Sequence, residues 1–259
     1  MNGRLQDKAC IVTGGSAGIG AAIVRRFLDE GAKVLFCGTN ADAGAAAERR
    51  FASPNAQFMR ADVGVEADVE ALIAAAVQRF GRLDVLVNNA AKAAVGPISE
   101  HSTEEWRRSM AVNVDSVFFA SRAAVKNFRK QGGGVIVNIA SISGMAGDGA
   151  YPSYCAQKGA VINLTRAMAV YHARENIRIN ALCPGLIDTP ATEIFKTLPE
   201  FLENWRKGIP AQRVGRPEEM AAIVAFLASD EASYCHGTIM VADGGVTAAT
   251  GQPTQVPLG

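Results

Sequence analysis

Residues 9–24 read ACIVTGGSAGIGAAIV, and this stretch determines the fold class. A short apolar run ends in a glycine turn at Gly14, and apolar residues then recur at Ile19, Ile23 and Phe27, which is helical spacing. A strand, a glycine turn and a helix N-terminus together form a phosphate cradle, because backbone N–H groups can approach the anion and the helix dipole favours it. The spacing T-G-x-x-x-G-x-G differs from the common G-x-G-x-x-G fingerprint, so the turn alone is weak evidence of nucleotide binding.

The rest of the chain alternates strand-like and helix-like segments. Near-continuous apolar runs, such as VLFC at residues 34–37, are typical of parallel strands buried on both faces. The predicted strands are residues 8–13, 33–37, 56–61, 83–88, 134–140, 177–183 and 238–242. The predicted helices are residues 18–30, 42–52, 66–80, 103–130, 151–174 and 217–229. The alternation has no repeat or linker, and it therefore predicts one doubly wound α/β domain over residues 1–259.

Composition argues against several classes of protein. A formal net charge of +1 with 20% charged residues argues against a nucleic-acid surface. The sequence contains neither a membrane-spanning apolar run nor a signal-peptide pattern, so we expect a cytoplasmic protein that binds no membrane. The 5 cysteines lack metal-binding spacing and the 3 histidines are scattered, so no metal site is predicted. Cys10, Cys37 and Cys183 fall in strand runs and are predicted to be buried free thiols.

Residues 154–158, YCAQK, indicate acid/base chemistry, because Tyr154 and Lys158 lie on one face of a helix. A charge about 4 Å from the phenol, at an effective dielectric near 20, supplies the roughly 4 kcal/mol that lowers a tyrosine pKa from about 10 toward 7. The hydroxyl of Ser141 can hold a carbonyl or carbinol oxygen for proton transfer, with Ser143 as a competitor. Alone, such a pair is a surface helix pair about as often as a catalytic site. Together with the glycine turn, it predicts interconversion of an alcohol and a ketone.

The chain resembles the short-chain dehydrogenase/reductase family over nearly its whole length. The resemblance rests on ordered motifs, which are TGGSAGIG at 13–20, ADV at 61–63, NNAA at 88–91, MAVNV at 110–114, Ser141, YCAQK at 154–158 and PGLIDT at 184–189. The family implies a seven-stranded parallel sheet of strand order 3-2-1-4-5-6-7. It also implies an enzyme that transfers hydride between an alcohol or ketone and a nicotinamide dinucleotide.

The resemblance assigns roles to the catalytic candidates. Tyr154 is implied to be the acid/base, Ser141 to position the substrate oxygen, and Lys158 to hold the nicotinamide ribose while it lowers the tyrosine pKa. Asn113 is implied to interrupt its helix around a water that joins a proton relay from Lys158, although it can instead be a buried polar residue with backbone partners. Asp62 is implied to lie by the adenine amino group, or else to be a turn residue that caps the next helix.

The residues implied to bind the dinucleotide are spread over the same motifs. Asn89 is implied to bridge neighbouring strands and the cofactor, and Thr189 to reach the carboxamide. Ala91 departs from the family pattern, because a methyl group replaces the hydrogen of a glycine. The full predicted set is Gly14, Ser16, Gly18, Ile19, Gly20, Thr39, Asp62, Val63, Asn89, Ala90, Tyr154, Lys158, Pro184, Gly185, Ile187 and Thr189.

The end of the second predicted strand bears on the choice between NAD and NADP. Relatives that use NAD generally place Asp where Gly38 stands, and those that use NADP often have Arg at position 39 or a basic residue at position 17. Thr39 and Ala17 therefore supply no cation, while Gly38 supplies no repelling acid. We expect NADP on this ground, with NAD open if Asp42 turns inward.

Residues 190–210 are implied to be a substrate lid. Their apolar residues recur at helical spacing, which also fits a plain amphipathic helix packed on the core; they are Ile194, Phe195, Leu198, Leu202, Trp205 and Ile209. An apolar lid suits a small to medium, largely apolar alcohol or ketone, with a hydroxyacyl thioester, a cyclic alcohol and a sugar alcohol all open. The competing interpretation is a silent dinucleotide-sensing or scaffold member of the same fold.

The two longest predicted helices, residues 103–130 and 151–174, predict a homotetramer. In the family these helices form an isologous interface, and such contacts build closed symmetric assemblies. Their apolar residues extend beyond one core stripe, and they include Phe118, Phe119, Val125, Phe128, Val161, Ile162 and Tyr171.

Overall fold

The computed structural model describes residues 3–250, apart from the side chains of Phe195 and Phe201. Its strands are β1 (Ala9–Thr13), β2 (Lys33–Gly38), β3 (Ala56–Arg60), β4 (Val85–Asn88), β5 (Gly134–Ile139), β6 (Ile177–Pro184) and β7 (Ile239–Ala242). They form one parallel sheet of order β3-β2-β1-β4-β5-β6-β7. The predicted α/β fold and its strand order are confirmed.

The helices flank this sheet on both faces. They are α1 (Gly18–Asp29), α2 (Ala41–Phe51), α3 (Glu66–Phe80), α4 (Thr103–Met110), α5 (Ser116–Gln131), α6 (Pro152–His172), α7 (Pro199–Gly208) and α8 (Pro217–Ala228). Successive strand residues point to opposite faces, so Cys10 and Val12 pack in the core with α1, α2 and α8. Ile11 lies between them and packs instead with α3 and α5. Fully buried strands explain the near-continuous apolar runs of the sequence.

The predicted helix over residues 103–130 is interrupted. Helix α4 ends at Met110, a π-helical turn covers Ala111–Asp115, and α5 begins at Ser116. In such a turn the backbone hydrogen bonds span five residues instead of four, and these turns often occur at functional sites. The buried Asn113 lies in the middle of this turn. The family resemblance predicted this interruption, whereas the apolar periodicity alone predicted a continuous helix.

The apolar residues of the long helices divide into an exposed set and a buried set. Phe118 and Tyr171 are 46% and 70% exposed, as an interface between copies requires. Four others pack inside the chain; these are Val125, Phe128, Val161 and Ile162. These residues are buried because each helix packs against the sheet with one stripe of apolar side chains and against a neighbouring helix with a second stripe.

The direction of chain progression through the sheet reverses at β1, which pairs with β2 on one side and β4 on the other. In open α/β sheets the carboxyl ends of the strands at such a switch point leave a crevice that binds ligands. Among the described residues, we find no helix with the length and apolar character needed to cross a bilayer.

Candidate active site

A cleft of about 680 Å³ opens at the carboxyl ends of β1, β4, β5 and β6. Every residue predicted to bind the dinucleotide lines it, together with Ser141; the set is Gly14, Ser16, Gly18, Ile19, Gly20, Thr39, Asp62, Val63, Asn89, Ala90, Tyr154, Lys158, Pro184, Gly185, Ile187 and Thr189. Asn113 is the one predicted site residue that lies outside this lining. The structure thus brings the predicted residues together, and their individual roles stay predictions.

The glycine turn between β1 and α1 forms one end of the cleft. Gly14 has a φ of +65°, and a Cβ on Gly20 would lie 2.2 Å from the carbonyl oxygen of Gly14 and 2.5 Å from Asn89 Nδ2. Among the described residues no side chain caps the start of α1 at Ala17. The turn therefore offers backbone N–H groups and a helix dipole to an anion, and these fit the pyrophosphate of a dinucleotide.

Asn89 ties this turn to the neighbouring strand. The backbone N–H groups of Asn89 and Ala90 donate to Thr13 Oγ1 at 2.9 and 3.0 Å. The amide of Asn89 also donates to the carbonyl oxygens of Thr13 and Gly14 at 2.8 and 3.2 Å. The predicted bridge between neighbouring strands is therefore observed, and it fixes the floor of the cleft.

Asp62 is held by a partner that the sequence did not reveal. Burial opposes its charged form, but a 2.7 Å hydrogen bond from Arg108 and another from the Gly64 N–H together lower the pKa of Asp62. Arg108 also lines the cleft. The separation of 46 residues between Arg108 and Asp62 explains why no sequence pattern linked them.

Two cations that sequence reasoning missed bond the backbone of cleft residues near Gly38. Arg50 donates to the carbonyl oxygen of Ser16 at 3.2 Å, and Arg60 donates to the carbonyl oxygen of Thr39 at 3.1 Å. Arg60 pairs with Gly38 in the β2–β3 register, and this pairing was the signal that could have placed it. Asp42 is exposed in the first turn of α2, where Asn40 supplies the cap by accepting from the Ala43 N–H.

Tyr154 and Lys158 lie side by side in the cleft, as their spacing predicts. Lys158 is 2% exposed, its Nζ lies 5.5 Å from the centre of the Tyr154 ring, and it donates to the carbonyl oxygen of Ile139 at 2.7 Å. Burial lowers the pKa of Lys158 to about 8. Burial also raises the pKa of Tyr154 to about 12, against the lowering effect of a hydrogen bond with Ser141.

The expected lowering of the tyrosine pKa toward 7 is therefore wrong for this arrangement. The ammonium of Lys158 is directed to a carbonyl oxygen rather than to the phenol, so desolvation of the phenolate dominates. A phenol with a raised pKa is protonated at neutral pH and is ready to donate to a ketone oxygen.

The structure separates the two candidate serines. Ser141 follows β5, lines the cleft and accepts from the Ser143 N–H at 3.1 Å. Ser143 Oγ instead donates to Asp148 at 3.2 Å. A Cβ on Gly144 would lie 2.5 Å from the carbonyl carbon of Lys158, so this glycine lets the turn after Ser141 press directly on α6.

Asn113 is a buried amide whose visible partners are Lys92 and Gln157. Its Oδ1 accepts from the Lys92 N–H at 2.9 Å, and its Nδ2 donates to the Lys92 carbonyl at 2.6 Å and to Gln157 Oε1 at 2.5 Å. These contacts match the alternative of a buried polar residue with backbone partners. Its part in a proton relay stays a prediction.

Thr189 lies beside the glycine turn, since a Cβ on Gly18 would come 3.4 Å from its side chain. Its own turn is ordered by a residue that the sequence analysis missed. Thr192 Oγ1 accepts from the Thr189 N–H at 3.0 Å and donates to the Ile187 carbonyl at 2.8 Å. A Cβ on Gly185 would lie 2.8 Å from the Cα of Asp243, so β6 must leave the sheet through a residue without a side chain. The turn places the start of the predicted lid at the cleft.

The chemistry of the cleft is that of a proton donor and acceptor beside a dinucleotide cradle. Within residues 3–250 no group of three or more His, Cys, Asp or Glu side chains could hold a metal ion. The groups that can move a proton are the phenol of Tyr154 and the ammonium of Lys158, and Ser141 can hold an oxygen beside them.

Comparisons with known proteins agree with this geometry. A family model described as enoyl-(acyl carrier protein) reductase matches residues 14–247. The chain is 40% identical to meso-2,3-butanediol dehydrogenase of Serratia marcescens over 250 residues, which are 96% of this chain and 98% of that enzyme. It is 40% identical to 3-alpha-(or 20-beta)-hydroxysteroid dehydrogenase of Mycobacterium tuberculosis, over 96% of this chain and 92% of that enzyme.

A third relative is the NADP-dependent (R)-specific alcohol dehydrogenase of Lentilactobacillus kefiri, which is 36% identical over 96% of this chain and 100% of that enzyme. These relatives cover nearly the whole chain and are named as oxidoreductases. The glycine turn, the Ser141–Tyr154–Lys158 grouping and these matches together show that the chain belongs to the short-chain dehydrogenase/reductase family.

Proposed function

We propose that this enzyme interconverts a secondary alcohol and a ketone, with Tyr154 as acid/base and NAD(P)(H) as hydride carrier. One observation carries the proposal: Ser141, Tyr154 and Lys158 meet in a cleft whose other end is a glycine turn suited to pyrophosphate. No finding supports the alternative of a silent sensing or scaffold protein. The nicotinamide, when bound, donates or accepts the hydride at the substrate carbon.

The side chains of this cleft handle the proton. In ketone reduction the Tyr154 O–H donates its proton to the carbonyl oxygen while Ser141 holds that oxygen by a hydrogen bond. In alcohol oxidation the same phenol oxygen accepts the hydroxyl proton. Lys158, whose ammonium lies 5.5 Å from the centre of the Tyr154 ring, holds the nicotinamide ribose in this proposal.

The function is tested with Tyr154→Phe. We expect the variant to lose turnover by about a thousandfold, within the range of general acid–base catalysis, and to keep dinucleotide binding. Tyr151→Phe is the matched control, because its ring centre lies 6.4 Å from that of Tyr154, and we expect it to keep turnover. Near-wild-type turnover by Tyr154→Phe on the best substrate in a panel of ketones and alcohols would remove the assignment.

We propose NADP(H) rather than NAD(H) as the preferred cofactor. Gly38 places no carboxylate at the ribose, and Asp42 is exposed on α2. The guanidinium groups of Arg50 and Arg60 lie at the backbone of Ser16 and Thr39, where they can attract a 2′-phosphate.

The cofactor preference is tested by comparing kcat/KM for NADPH and NADH. A Cβ on Gly38 would meet Ser16 Oγ at an ordinary 3.4 Å, so Gly38→Asp fits and places a repelling acid there. We expect this variant to move the ratio toward NADH by more than about tenfold, or roughly 1.4 kcal/mol. A wild-type preference for NADH above about tenfold contradicts the assignment.

We propose that residues 1–259 form one domain in which residues 190–210 act as a substrate lid. Thr189 and Thr192 line the cleft, so the segment starts where the substrate must enter. The side chain of Phe195, one of the predicted lid residues, lies outside the described residues. The relatives are named for a diol, a steroid and an alcohol, and we propose a small to medium, largely apolar substrate for this chain.

We also propose a homotetramer. Phe118 on α5 is 46% exposed, and Val170 and Tyr171 on α6 are 81% and 70% exposed, which leaves apolar surface for a second copy. Light scattering tests this, and a mass near the 27.2 kDa of one chain contradicts it. The cytoplasmic location stays a prediction.

A further inference from the structure

A row of buried hydrogen bonds connects the π-helical turn to helix α6 beside the acid/base pair. Asn113, Gln157 and Ser109 are 1%, 1% and 2% exposed. Asn113 Nδ2 donates to Gln157 Oε1 at 2.5 Å, and Gln157 Nε2 donates to Ser109 Oγ at 2.7 Å. Gln157 immediately precedes Lys158, so this row ends on the helix that carries the acid/base pair.

Both ends of the row are backbone groups, and these fix its direction. At one end Ser109 Oγ donates to the carbonyl oxygen of Trp106 at 3.0 Å, and a carbonyl can only accept. At the other end the Lys92 N–H, which can only donate, bonds Asn113 Oδ1 at 2.9 Å.

Between these ends each amide has one orientation that satisfies every partner. If the Gln157 amide were flipped, its N–H₂ group would face the N–H₂ group of Asn113, and both would lose a partner. The Lys92 backbone and Gln157 therefore act together to hold the amide of Asn113 in one orientation. The amide of Asn113 in turn grips the N–H and the carbonyl of Lys92, a residue of the cleft lining.

We propose that Gln157 is a positioning residue of the acid/base centre, which holds the amide of Asn113 in one orientation and with it the Lys92 backbone at the cleft. This role rests on the proposed function, because it matters only if Tyr154 and Lys158 act on a substrate there. Gln157 lies outside the cleft lining and acts through Asn113.

Burial makes the hydrogen bonds of Gln157 energetically important. An amide removed from water costs free energy unless its donors and acceptor are bonded, and a buried network that loses one member leaves the others unpaired. An apolar side chain of similar length could fill the same space without that cost. The polar row thus has a consequence beyond packing, which is the single orientation of Asn113.

The experiment compares Gln157→Met with Gln131→Met. Gln131 is a matched control, because its amide also bonds backbone groups, at Leu83 and Gly133, but at the far end of α5. We expect Gln157→Met to lower kcat about tenfold, in line with the loss of buried hydrogen bonds, while KM and the dinucleotide Kd stay within about twofold. Gln131→Met is expected to reduce thermal stability and leave kcat unchanged.

A double-mutant cycle separates positioning from a merely structural effect. Since Gln157 acts through Asn113, Gln157→Met should cost little further rate in an Asn113→Ala background. Additive losses, or an unchanged kcat in Gln157→Met, overturn the proposal. If Gln157→Met does not fold, Ser109→Ala removes the bond to Gln157 Nε2 together with the bond to the Trp106 carbonyl, and it should lower kcat about threefold. An unchanged kcat overturns the proposal in that case.

The experiments distinguish failure of the proposed function from failure of the positioning role of Gln157. Turnover by Tyr154→Phe removes the proposed function whatever Gln157 does. Loss of turnover in Tyr154→Phe together with an unchanged kcat in Gln157→Met removes only the positioning role.

Discussion

The two ends of the cleft differ in how closely their backbone is packed. At the dinucleotide end, a Cβ added to Gly20 would lie 2.2 Å from the Gly14 carbonyl oxygen, so even one methyl group has no room. At the lid end, Ile194 and Leu198 are 60% and 49% exposed, and Ile209 is the buried anchor at 2% exposure. The first end is built by backbone contacts, whereas the proposed lid leaves apolar side chains exposed.

This difference indicates how the family can keep one cofactor chemistry and vary its substrates. A cradle made from backbone N–H groups tolerates few replacements, because any side chain there displaces the ligand or the strand behind it. A segment with few buried contacts can change its side chains at low cost in stability. Variants of Lys158, which lies between the two ends, of Gly20 at the dinucleotide end and of Leu198 at the lid end test this contrast.

The largest effect is expected where the two ends meet. Lys158→Ala removes a buried ammonium beside Tyr154 that we propose also holds the ribose, so we expect a rate loss of about a thousandfold and weaker dinucleotide binding together. Steady-state rates and fluorescence titration with dinucleotide measure both quantities. Lys126→Ala, which removes an exposed lysine of α5, serves as the control. A fall in rate with unchanged cofactor affinity would show that Lys158 does not hold the ribose.

The next effect concerns the dinucleotide end alone. Gly20→Ala forces its methyl group onto Gly14 and Asn89, so we expect the dinucleotide Kd to rise by about a hundredfold, or roughly 2.7 kcal/mol. Gly208→Ala is the matched change near the lid, where the new methyl group meets no described atom within 4 Å. It should leave Kd unchanged. Equal effects of the two variants, measured by calorimetry, would erase the contrast between the two ends.

A smaller effect is expected from pH. Burial lowers the pKa of Lys158 to about 8 and raises that of Tyr154 to about 12. Below pH 8 the ammonium and the phenol are both protonated, so ketone reduction should be flat there and should fall about tenfold per unit as pH rises above about 8. Alcohol oxidation needs the phenolate as well as the ammonium, so it should rise about tenfold per unit below about pH 8 and level off above it.

Initial rates read at 340 nm between pH 6 and 9.5 check this profile. Lys158→Arg should remove the inflection near pH 8, because a guanidinium stays charged throughout this range. A wild-type reduction rate that stays level to pH 9.5 would argue that Lys158 does not titrate in the working enzyme.

The smallest effect is expected at the lid end. Leu198→Ser replaces a half-exposed apolar side chain, so we expect KM for an apolar ketone to rise about threefold while the dinucleotide Kd and the melting temperature stay constant. Val65→Ser, at 44% exposure before α3, is the control for loss of a half-exposed apolar side chain elsewhere. An unchanged KM across a panel of ketones would place Leu198 outside the substrate path.

Much of the fold could be predicted because it depends on local patterns. Each predicted strand is present with nearly the same bounds, since burial on both faces imposes apolar runs that are visible in the sequence. The π-helical turn left no such pattern, and only the resemblance around Asn113 indicated it. The apolar residues beyond one core stripe, such as Val125 and Phe128, are visible in the sequence, but only the structure shows that they pack inside the chain.

The sequence by itself determined the glycine turn and the Tyr154–Lys158 pair, because each depends on spacing along one element. The strand order and the role of Ser141 were expected from the family resemblance. Only the tertiary structure decided contacts between distant elements. These include Arg108 with Asp62, Arg60 beside Thr39, and Gln157 with Asn113. It also decided the direction of the Tyr154 pKa, because burial and the direction of the Lys158 ammonium depend on how α6 packs against β5.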